Sequence, residues 1–124
     1  MIFLNIEGLY RGKDKWKKIN FLREISIDEE PILIILTETH LCDNIDDKEI
    51  DIPGYSIYRS DRINRIQGGV MIYIRKPLLI DETVLTKFSN GTCETLIVKI
   101  KDVDIHVVCV YRPRTLHHQS SMNV

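Results

Sequence analysis

The sequence predicts an α+β protein with layered sheets, because strand and helix patterns alternate at its start and strand patterns alone follow. Residues 2–6 and 32–36 are short apolar runs, and residues 13–26 between them carry apolar side chains at near-helical spacing. From residue 55 onward the chain breaks into short alternating segments separated by turn residues, which indicates mostly antiparallel strands. The same hairpin spacing would also suit half of a β-sandwich.

The opening strand–helix–strand pattern predicts a βαβ-like unit. In residues 13–26, Trp16, Ile19, Leu22 and Ile25 recur at near-helical spacing with lysine and arginine between them, so we expect these four side chains to face a sheet. The run 32–36 is uninterrupted and aliphatic, which is typical of a strand buried on both faces.

The later strands are predicted from alternation and from turn residues. Four segments have a clear pattern, and one near residues 80–86 is weaker. The final two clear segments flank a short polar connection at 101–104, which predicts a β-hairpin. The clear segments are 55–59, 70–74, 95–100 and 105–111.

Composition limits the class of protein. The 124 residues are enough for one modest domain, and 44% hydrophobic with 28% charged residues is ordinary for a folded protein. The net charge of −1 shows that the chain as a whole is no polycation. Any contact with nucleic acid must therefore come from local clusters of basic residues.

The cysteines and the amino terminus predict an intracellular protein, nuclear or cytoplasmic and not secreted. Cys42, Cys93 and Cys109 are odd in number and lack CxxC spacing, which argues against a disulfide framework and against structural zinc. The first residues lack a basic start, and no apolar run approaches the roughly 18 residues of a membrane span. We therefore expect no association with a membrane.

Polar side chains stand at the carboxyl ends of three predicted strands. Asn5 lies at the end of the first, Glu38 follows the buried strand, and the group Tyr111-Arg112-Pro113 lies at the end of the last. Open α/β sheets bind their ligands at such ends. If these strand ends meet at one edge, they bring together an amide, a carboxylate, a phenol and a guanidinium. Such a set would suit a phosphodiester and Mg²⁺, a hard cation that prefers oxygen ligands.

Five short blocks, in order along the chain, resemble the endonuclease/exonuclease/phosphatase superfamily. More narrowly, they resemble the amino-terminal half of the apurinic-type endonuclease domain of non-LTR retrotransposons. The blocks cover residues 4–113, and together they are far more specific than any one alone. They are LNIEGL at 4–9, LTETHL at 36–41, IPGY at 52–55 leading to RSDR at 59–62, GGVMIY at 68–73, and VYRP at 110–113.

This resemblance implies a layered α/β-sandwich of the DNase I-like type and a Mg²⁺-dependent DNA endonuclease, with Mn²⁺ as a substitute metal. Asn5 matches the active-site asparagine of the family, Glu38 its metal-binding glutamate, and Tyr111 the tyrosine that approaches the scissile phosphate. The resemblance places Arg59, Arg62 and Arg112 on the nucleic-acid side. It also implies a parent protein fused to a reverse transcriptase.

Two motifs of the family are missing from the sequence. It has no Asp-x-Asn pair, and no Ser-Asp-His block precedes the late histidines His117 and His118. We therefore expect residues 1–114 to be a truncated, amino-terminal part of the domain, residues 115–124 to be a disordered tail, and the fragment to be inactive alone. Two other functions stay open: a phosphomonoesterase of the same superfamily, acting on an inositol phosphate, and a non-enzymatic pseudogene remnant.

Each candidate residue also has an ordinary structural interpretation. Glu38 could be a solvent-exposed glutamate in a loop, and Asn5 could be an ordinary turn residue. Tyr111 could simply end a hairpin strand with its hydroxyl exposed to solvent. His40 is more typical of an exposed or supporting histidine than of a metal ligand. The arginines at 59–65 would equally suit a solvated loop whose Asp61 offsets their charge.

Overall fold

A computed structural model describes residues 1–63 and 67–112 of the chain. The predictions for Arg65, Pro113 and the tail 115–124 lie outside the described residues. One α-helix, seven strands and one short 3₁₀-helix are described. They are β1 (Ile2–Asn5), α1 (Trp16–Glu29), β2 (Leu33–Thr37), the 3₁₀-helix (Asp47–Ile50), β3 (Tyr55–Ser60), β4 (Val70–Arg75), β5 (Thr86–Ser89), β6 (Glu94–Ile100) and β7 (Ile105–Tyr111).

The first sheet has the strand order β1-β2-β4-β3. β1 and β2 run parallel, with Asn5 opposite Thr37, so the predicted βαβ unit is confirmed. β4 pairs antiparallel with both β2 and β3, and Val70 lies opposite Thr37 on one side and Ser60 on the other. The carboxyl ends of β1, β2 and β3 therefore share one edge with the beginning of β4.

The second sheet has the order β5-β6-β7 and is antiparallel throughout. The predicted hairpin of the last two strands is confirmed, with Glu94 opposite Tyr111 and Ile100 opposite Ile105. The predicted weak strand at 80–86 is wrong in its extent. Only an isolated bridge joins Ile80 to Ile100 there, and the regular strand begins at Thr86.

The two sheets and the helix form three layers, and the described part of the chain has an α+β fold as predicted. Every residue of β2 is buried, because this strand lies between two cores. One core joins the helix to the first sheet through Ile19, Leu22, Ile34, Leu36, Met71 and Tyr73. The other joins the two sheets through Ile35, Ile72, Ile74, Leu96, Val98 and Cys109.

The helix differs from the prediction at both ends. It begins at Trp16 and ends at Glu29, and Glu30 caps it in the left-handed conformation by donating its N–H to the carbonyl of Ser26. Trp16 is 43% exposed instead of buried in the core. It lies in the first turn, where it packs edge-on against Tyr10 with 4.9 Å between ring centroids. Among the described residues, no helix has the length and apolar character needed to cross a membrane.

Candidate active site

The candidate site begins where β1 and β2 end. The ladder between these parallel strands continues past their last residues, because Ile6 N–H donates to Thr37 O (2.9 Å) and Gly8 N–H donates to Glu38 O (2.7 Å). This continued pairing brings the side chains of Asn5 and Glu38 together. Asn5 Nδ2 donates to Glu38 Oε2 at 2.8 Å.

The third side chain arrives from the other sheet. Tyr111 is the last residue of β7, and its hydroxyl donates to the same Glu38 Oε2 at 2.7 Å. The structure thus brings together Asn5, Glu38 and Tyr111, as the strand-end argument predicts. Their roles in catalysis stay a prediction.

Both hydrogen bonds favour the ionised form of Glu38. The bond from Tyr111, and after it the bond from Asn5, lower the pKa of the Glu38 carboxyl below its usual value. Burial, reinforced by the adjacent carboxylate, raises the pKa of Tyr111 to about 12. At neutral pH the pair is therefore a carboxylate and a protonated phenol. Oε2 accepts both bonds, which leaves Oε1 for a ligand.

His40 lies beside that second oxygen. Its Nε2 is 3.9 Å from Glu38 Oε1, and its Nδ1 is 2.6 Å from Arg11 Nη1. Burial, and then the positive charge of Arg11, lower the pKa of His40, so the ring is neutral at pH 7. Because a guanidinium only donates, Nδ1 accepts from Arg11 and the proton is on Nε2, facing Glu38.

Arg11 is a site residue that sequence reasoning missed. It lies in the irregular segment between β1 and the helix, where no periodicity marks it. The available signal is Gly8: a Cβ there would be 2.5 Å from Arg11 Cδ and 3.1 Å from His40 Nδ1. Only glycine lets the backbone pass this close to the Arg11–His40 pair.

The backbone around the site is strained. Glu7, Glu38 and His40 have φ values of 48°, 56° and 56°, in the left-handed region that residues with a Cβ rarely adopt. Between the last two, the Thr39 hydroxyl is buried and is the one side-chain polar atom in the described part of the chain that is both buried and without a hydrogen-bond partner. Such strain persists only where surrounding contacts hold it, and it concentrates at functional sites.

The donor set suits a hard divalent cation with few protein ligands. Across residues 1–63 and 67–112, no group of three or more histidine, cysteine or acidic side chains could enclose a metal ion. A transition-metal cage is therefore absent from this part of the chain. A single carboxylate with one oxygen free, held by the amide of Asn5, fits Mg²⁺, which often keeps several waters and takes one or two carboxylates.

Arg59 lies two strands away along the same sheet edge, in an ion-paired cluster. Its guanidinium donates to Asp47 Oδ1 and Asp61 Oδ2, both at 2.9 Å, and to the carbonyl of Cys42, also at 2.9 Å. An open cleft of about 740 Å³ adjoins it, and Asp43, Asp46 and Lys87 also line this cleft. The donors of Arg59 are thus largely used within the chain, and its contact with nucleic acid stays a prediction.

Arg62 is buried instead of lying on the surface. It is 7% exposed and pairs with Glu94, which is fully buried, at 2.7 Å between Nε and Oε2. Arg112 follows β7 and is exposed. Of the three predicted nucleic-acid contacts, Arg112 is therefore the one whose side chain faces solvent. Binding by any of them stays a prediction.

Comparison of the sequence with models of protein families and with curated proteins finds no match. Solved structures match over nearly the whole chain. Truncated TDP2 of Caenorhabditis elegans is 21% identical over 93% of this chain, with a TM-score of 0.60. The human Nocturnin catalytic domain with bound sulfate is 13% identical over 90%, with a TM-score of 0.51. The chain has a DNase I-like fold.

The chain spans less than half of each neighbour. It covers 46% of truncated TDP2, 35% of a longer TDP2 structure (20% identity, TM-score 0.62) and 48% of the Nocturnin domain. In this DNase I-like fold, Asn5 and Glu38 lie at one edge of the first sheet and Tyr111 at an end of the second. The candidate site thus spans both sheets.

Proposed function

We propose that the chain carries the metal-binding part of a Mg²⁺-dependent phosphodiester hydrolase, a DNA endonuclease of the non-LTR retrotransposon type. One observation carries the proposal. Two neutral donors, Asn5 Nδ2 and Tyr111 Oη, converge on a single oxygen of Glu38 and leave the other free. This arrangement keeps the carboxylate ionised, oriented and open on one side.

Each residue has a role that its contacts support. Glu38 Oε1 holds the metal, and Asn5 orients the carboxylate and offers its own oxygen. Tyr111 stays protonated, because its pKa is raised to about 12. Its one hydroxyl proton is donated to Glu38 Oε2, so it would donate to an incoming phosphate oxygen only by exchanging that bond. The Nε2–H of His40 also faces Glu38 Oε1. Bound Mg²⁺ would polarise the phosphate and lower the pKa of a coordinated water.

Basic groups on the segments that form the site support an anionic substrate. Arg11 contacts His40 beside Glu38, and Lys18 Nζ donates to the carbonyls of Ile6 and Glu7. Arg112 directly follows Tyr111 and is exposed. These groups would track a phosphate backbone across the sheet edge. The five sequence blocks favour DNA over a small phosphate ester, and the free thiols accord with an intracellular location.

Metal binding and full catalysis are separate expectations. Among the described residues the site offers one carboxylate and one neutral histidine, and the sequence has no Asp-x-Asn or Ser-Asp-His motif. The lone pair of His40 Nδ1 already accepts from Arg11, and Glu38 is assigned to the metal, so neither group is placed to activate the attacking water. We expect the chain to bind Mg²⁺ or Mn²⁺ and to nick DNA weakly or not at all when alone.

Metal titration tests the proposal. Binding of Mn²⁺, followed by the loss of its free-ion electron paramagnetic resonance signal, should give one site in the unaltered chain. Glu38→Gln should remove it. Glu24→Gln, at an exposed position of the helix, removes the same charge elsewhere and should bind Mn²⁺ normally. Equal binding by all three proteins would contradict the proposal.

A second function is favoured by the same scarcity of acid–base groups. A non-enzymatic remnant would keep the fold and bind DNA or a partner without turnover. Nicking of supercoiled plasmid in Mg²⁺ separates the two, because robust nicking that Glu38→Ala abolishes would establish the enzyme. Hydrolysis of an inositol phosphate without DNA nicking would instead indicate the phosphomonoesterase.

A further inference from the structure

Arg62 and Glu94 form a buried ion pair close to the candidate site. Arg62 Nε donates to Glu94 Oε2 at 2.7 Å, and Arg62 Nη2 donates to Glu94 Oε1 at 3.2 Å and to the carbonyl of Thr92 at 3.3 Å. The two side chains are 5% and 0% exposed. Their two nearly parallel hydrogen bonds fix the planes of both groups relative to each other.

Glu94 also holds the turn that precedes β4. Gly69 N–H donates to Glu94 Oε1 at 2.8 Å. The carbonyl of Gly68 accepts from His40 N–H at 2.8 Å, and that of Gly69 accepts more weakly from Thr39 N–H at 3.4 Å. Through two consecutive hydrogen bonds, the carboxylate is thus connected to the strained segment that carries Glu38.

The same carboxylate lies beside the strand that carries Tyr111. Glu94 and Tyr111 are directly opposed on β6 and β7, so their side chains project from the same face of the second sheet. Ser89 at the end of β5 also donates to Glu94, at 3.3 Å. The buried carboxylate of Glu94 therefore contacts the turn that is bonded to the Glu38 segment, and it lies opposite Tyr111.

Stability alone is a poor reason for such a pair. Desolvation of two charges commonly cancels their attraction, and a well-packed apolar pair of similar size is often equally stable. An apolar pair, however, has no acceptor for Gly69 N–H. Gly68 shows how closely the turn packs on the pair, because a Cβ there would be 2.5 Å from Arg62 Nε and 2.7 Å from Glu94 Oε1.

We propose that Arg62 and Glu94 are positioning residues: they hold the Gly68–Gly69 turn, and through it the segment of Glu38, against the strand of Tyr111. The effect of this pair on the geometry of the metal site rests on the proposed function. It gives Arg62 a structural role inside the protein, and its contact with nucleic acid stays a prediction.

Three variants test it. Glu94→Gln keeps the shape and loses the charge. The double variant Arg62→Met with Glu94→Leu replaces the ion pair by an apolar pair and leaves no buried charge unpaired. Tyr73→Phe is the control, since it removes a buried hydrogen bond to the carbonyl of Ile50 in the other core.

The first measurement needs no metal. Amide hydrogen exchange of His40 should become at least 10-fold faster in Glu94→Gln and in the double variant, relative to Arg75, whose N–H donates to Ile32 at the far end of the same sheet. In Tyr73→Phe the two amides should change together. Equal acceleration of His40 and Arg75 in all three variants would overturn the inference.

The second measurement is Mn²⁺ affinity under conditions where each variant is folded. We expect Glu94→Gln and the double variant to bind roughly 10-fold more weakly, and Tyr73→Phe to bind normally. A double variant that regains the unfolding midpoint, the His40 protection and the Mn²⁺ affinity would identify the pair as ordinary core. Absence of Mn²⁺ binding by the unaltered chain would contradict the proposed function alone, because the exchange data would still decide the positioning role.

Discussion

Tyr111 and Glu38 lie 73 positions apart and are joined by a 2.7 Å hydrogen bond from the phenol to the carboxylate. Glu38 follows a strand of the first sheet, and Tyr111 ends a strand of the second. The bond therefore closes one end of the interface between the two sheets. Tyr111 reaches Glu38 only when the two sheets are packed together, so the candidate site depends on the tertiary fold.

Removal of the phenol hydroxyl should raise the pKa of Glu38. In Tyr111→Phe the largest cause of the lowered pKa is gone, and only the Asn5 bond and weaker charge effects remain. The carboxyl ¹³C shift of Glu38, followed against pH by NMR, measures the change directly. Tyr58→Phe is the matched control, because Tyr58 packs in the core between the sheets.

The same substitution should alter the pH dependence of stability. A carboxyl whose pKa is lower in the folded state stabilises the fold above its unfolded pKa, and this contribution is lost as pH falls through the folded pKa. Tyr111→Phe should therefore lose more stability at pH 7 than at pH 2, as measured by urea unfolding. An equal loss at both values would show that the bond does not favour the ionised carboxylate.

Gly69→Ala should destabilise the fold more than Gly91→Ala. Both glycines have left-handed φ values, 94° and 86°, so both substitutions incur about 1–2 kcal/mol of backbone strain. A Cβ at Gly69 would also collide with the Thr39 hydroxyl oxygen, whereas at Gly91 the nearest atom, Ile63 O, is 4.0 Å away.

The collision should add about 1–3 kcal/mol to the loss at Gly69. Urea unfolding of the two variants measures the difference, and Mn²⁺ binding should weaken only in Gly69→Ala. Equal losses of stability would show that the Thr39 segment moves aside without cost.

Cys109 should be unreactive in the folded protein. Its side chain is buried between the sheets, and burial raises the pKa of its thiol to about 11. At pH 8 only about one molecule in a thousand would carry the reactive thiolate. A disulfide reagent should label the partly exposed Cys42 and Cys93, and label Cys109 only after unfolding.

Cys109→Ser provides the comparison for that experiment. Its labelled thiols should be equal in number before and after addition of denaturant, whereas the unaltered chain should gain one. Rapid labelling of three thiols in the folded chain would contradict the burial of Cys109.

The strands were predictable because their signals are local. The uninterrupted run before Glu38 indicated burial on both faces, and the alternation in β6 and β7 indicated a hairpin. Asn5, Glu38 and Tyr111 could be grouped because strand ends meet at sheet edges. The two hydrogen bonds to one oxygen of Glu38 could not be predicted, because they depend on how the two sheets pack.

The surroundings of Arg62 and Trp16 depend on contacts that the sequence pattern does not show. Arg62 is 32 positions from its partner Glu94, and no local pattern distinguishes a buried arginine from a solvated one. Trp16 matched the apolar stripe of the helix, but it lies in the first turn and packs on Tyr10 at the surface. A helical period identifies a face, and tertiary packing decides how far along the helix that face is covered.

The outer face of the second sheet should promote self-association. Val108 and Val110 on β7 are 61% and 57% exposed, and Phe88 on β5 is 51% exposed. β7 is an edge strand of this sheet and has no lysine, glutamate or proline, the residues that usually protect such edges.

Val108→Lys should therefore lower the apparent mass at high protein concentration, as measured by light scattering. Ile27→Lys, at an exposed apolar position of the helix, adds the same charge away from the sheet and should leave association unchanged. If both variants reduce association equally, net charge governs it, and the exposed apolar face of the second sheet does not.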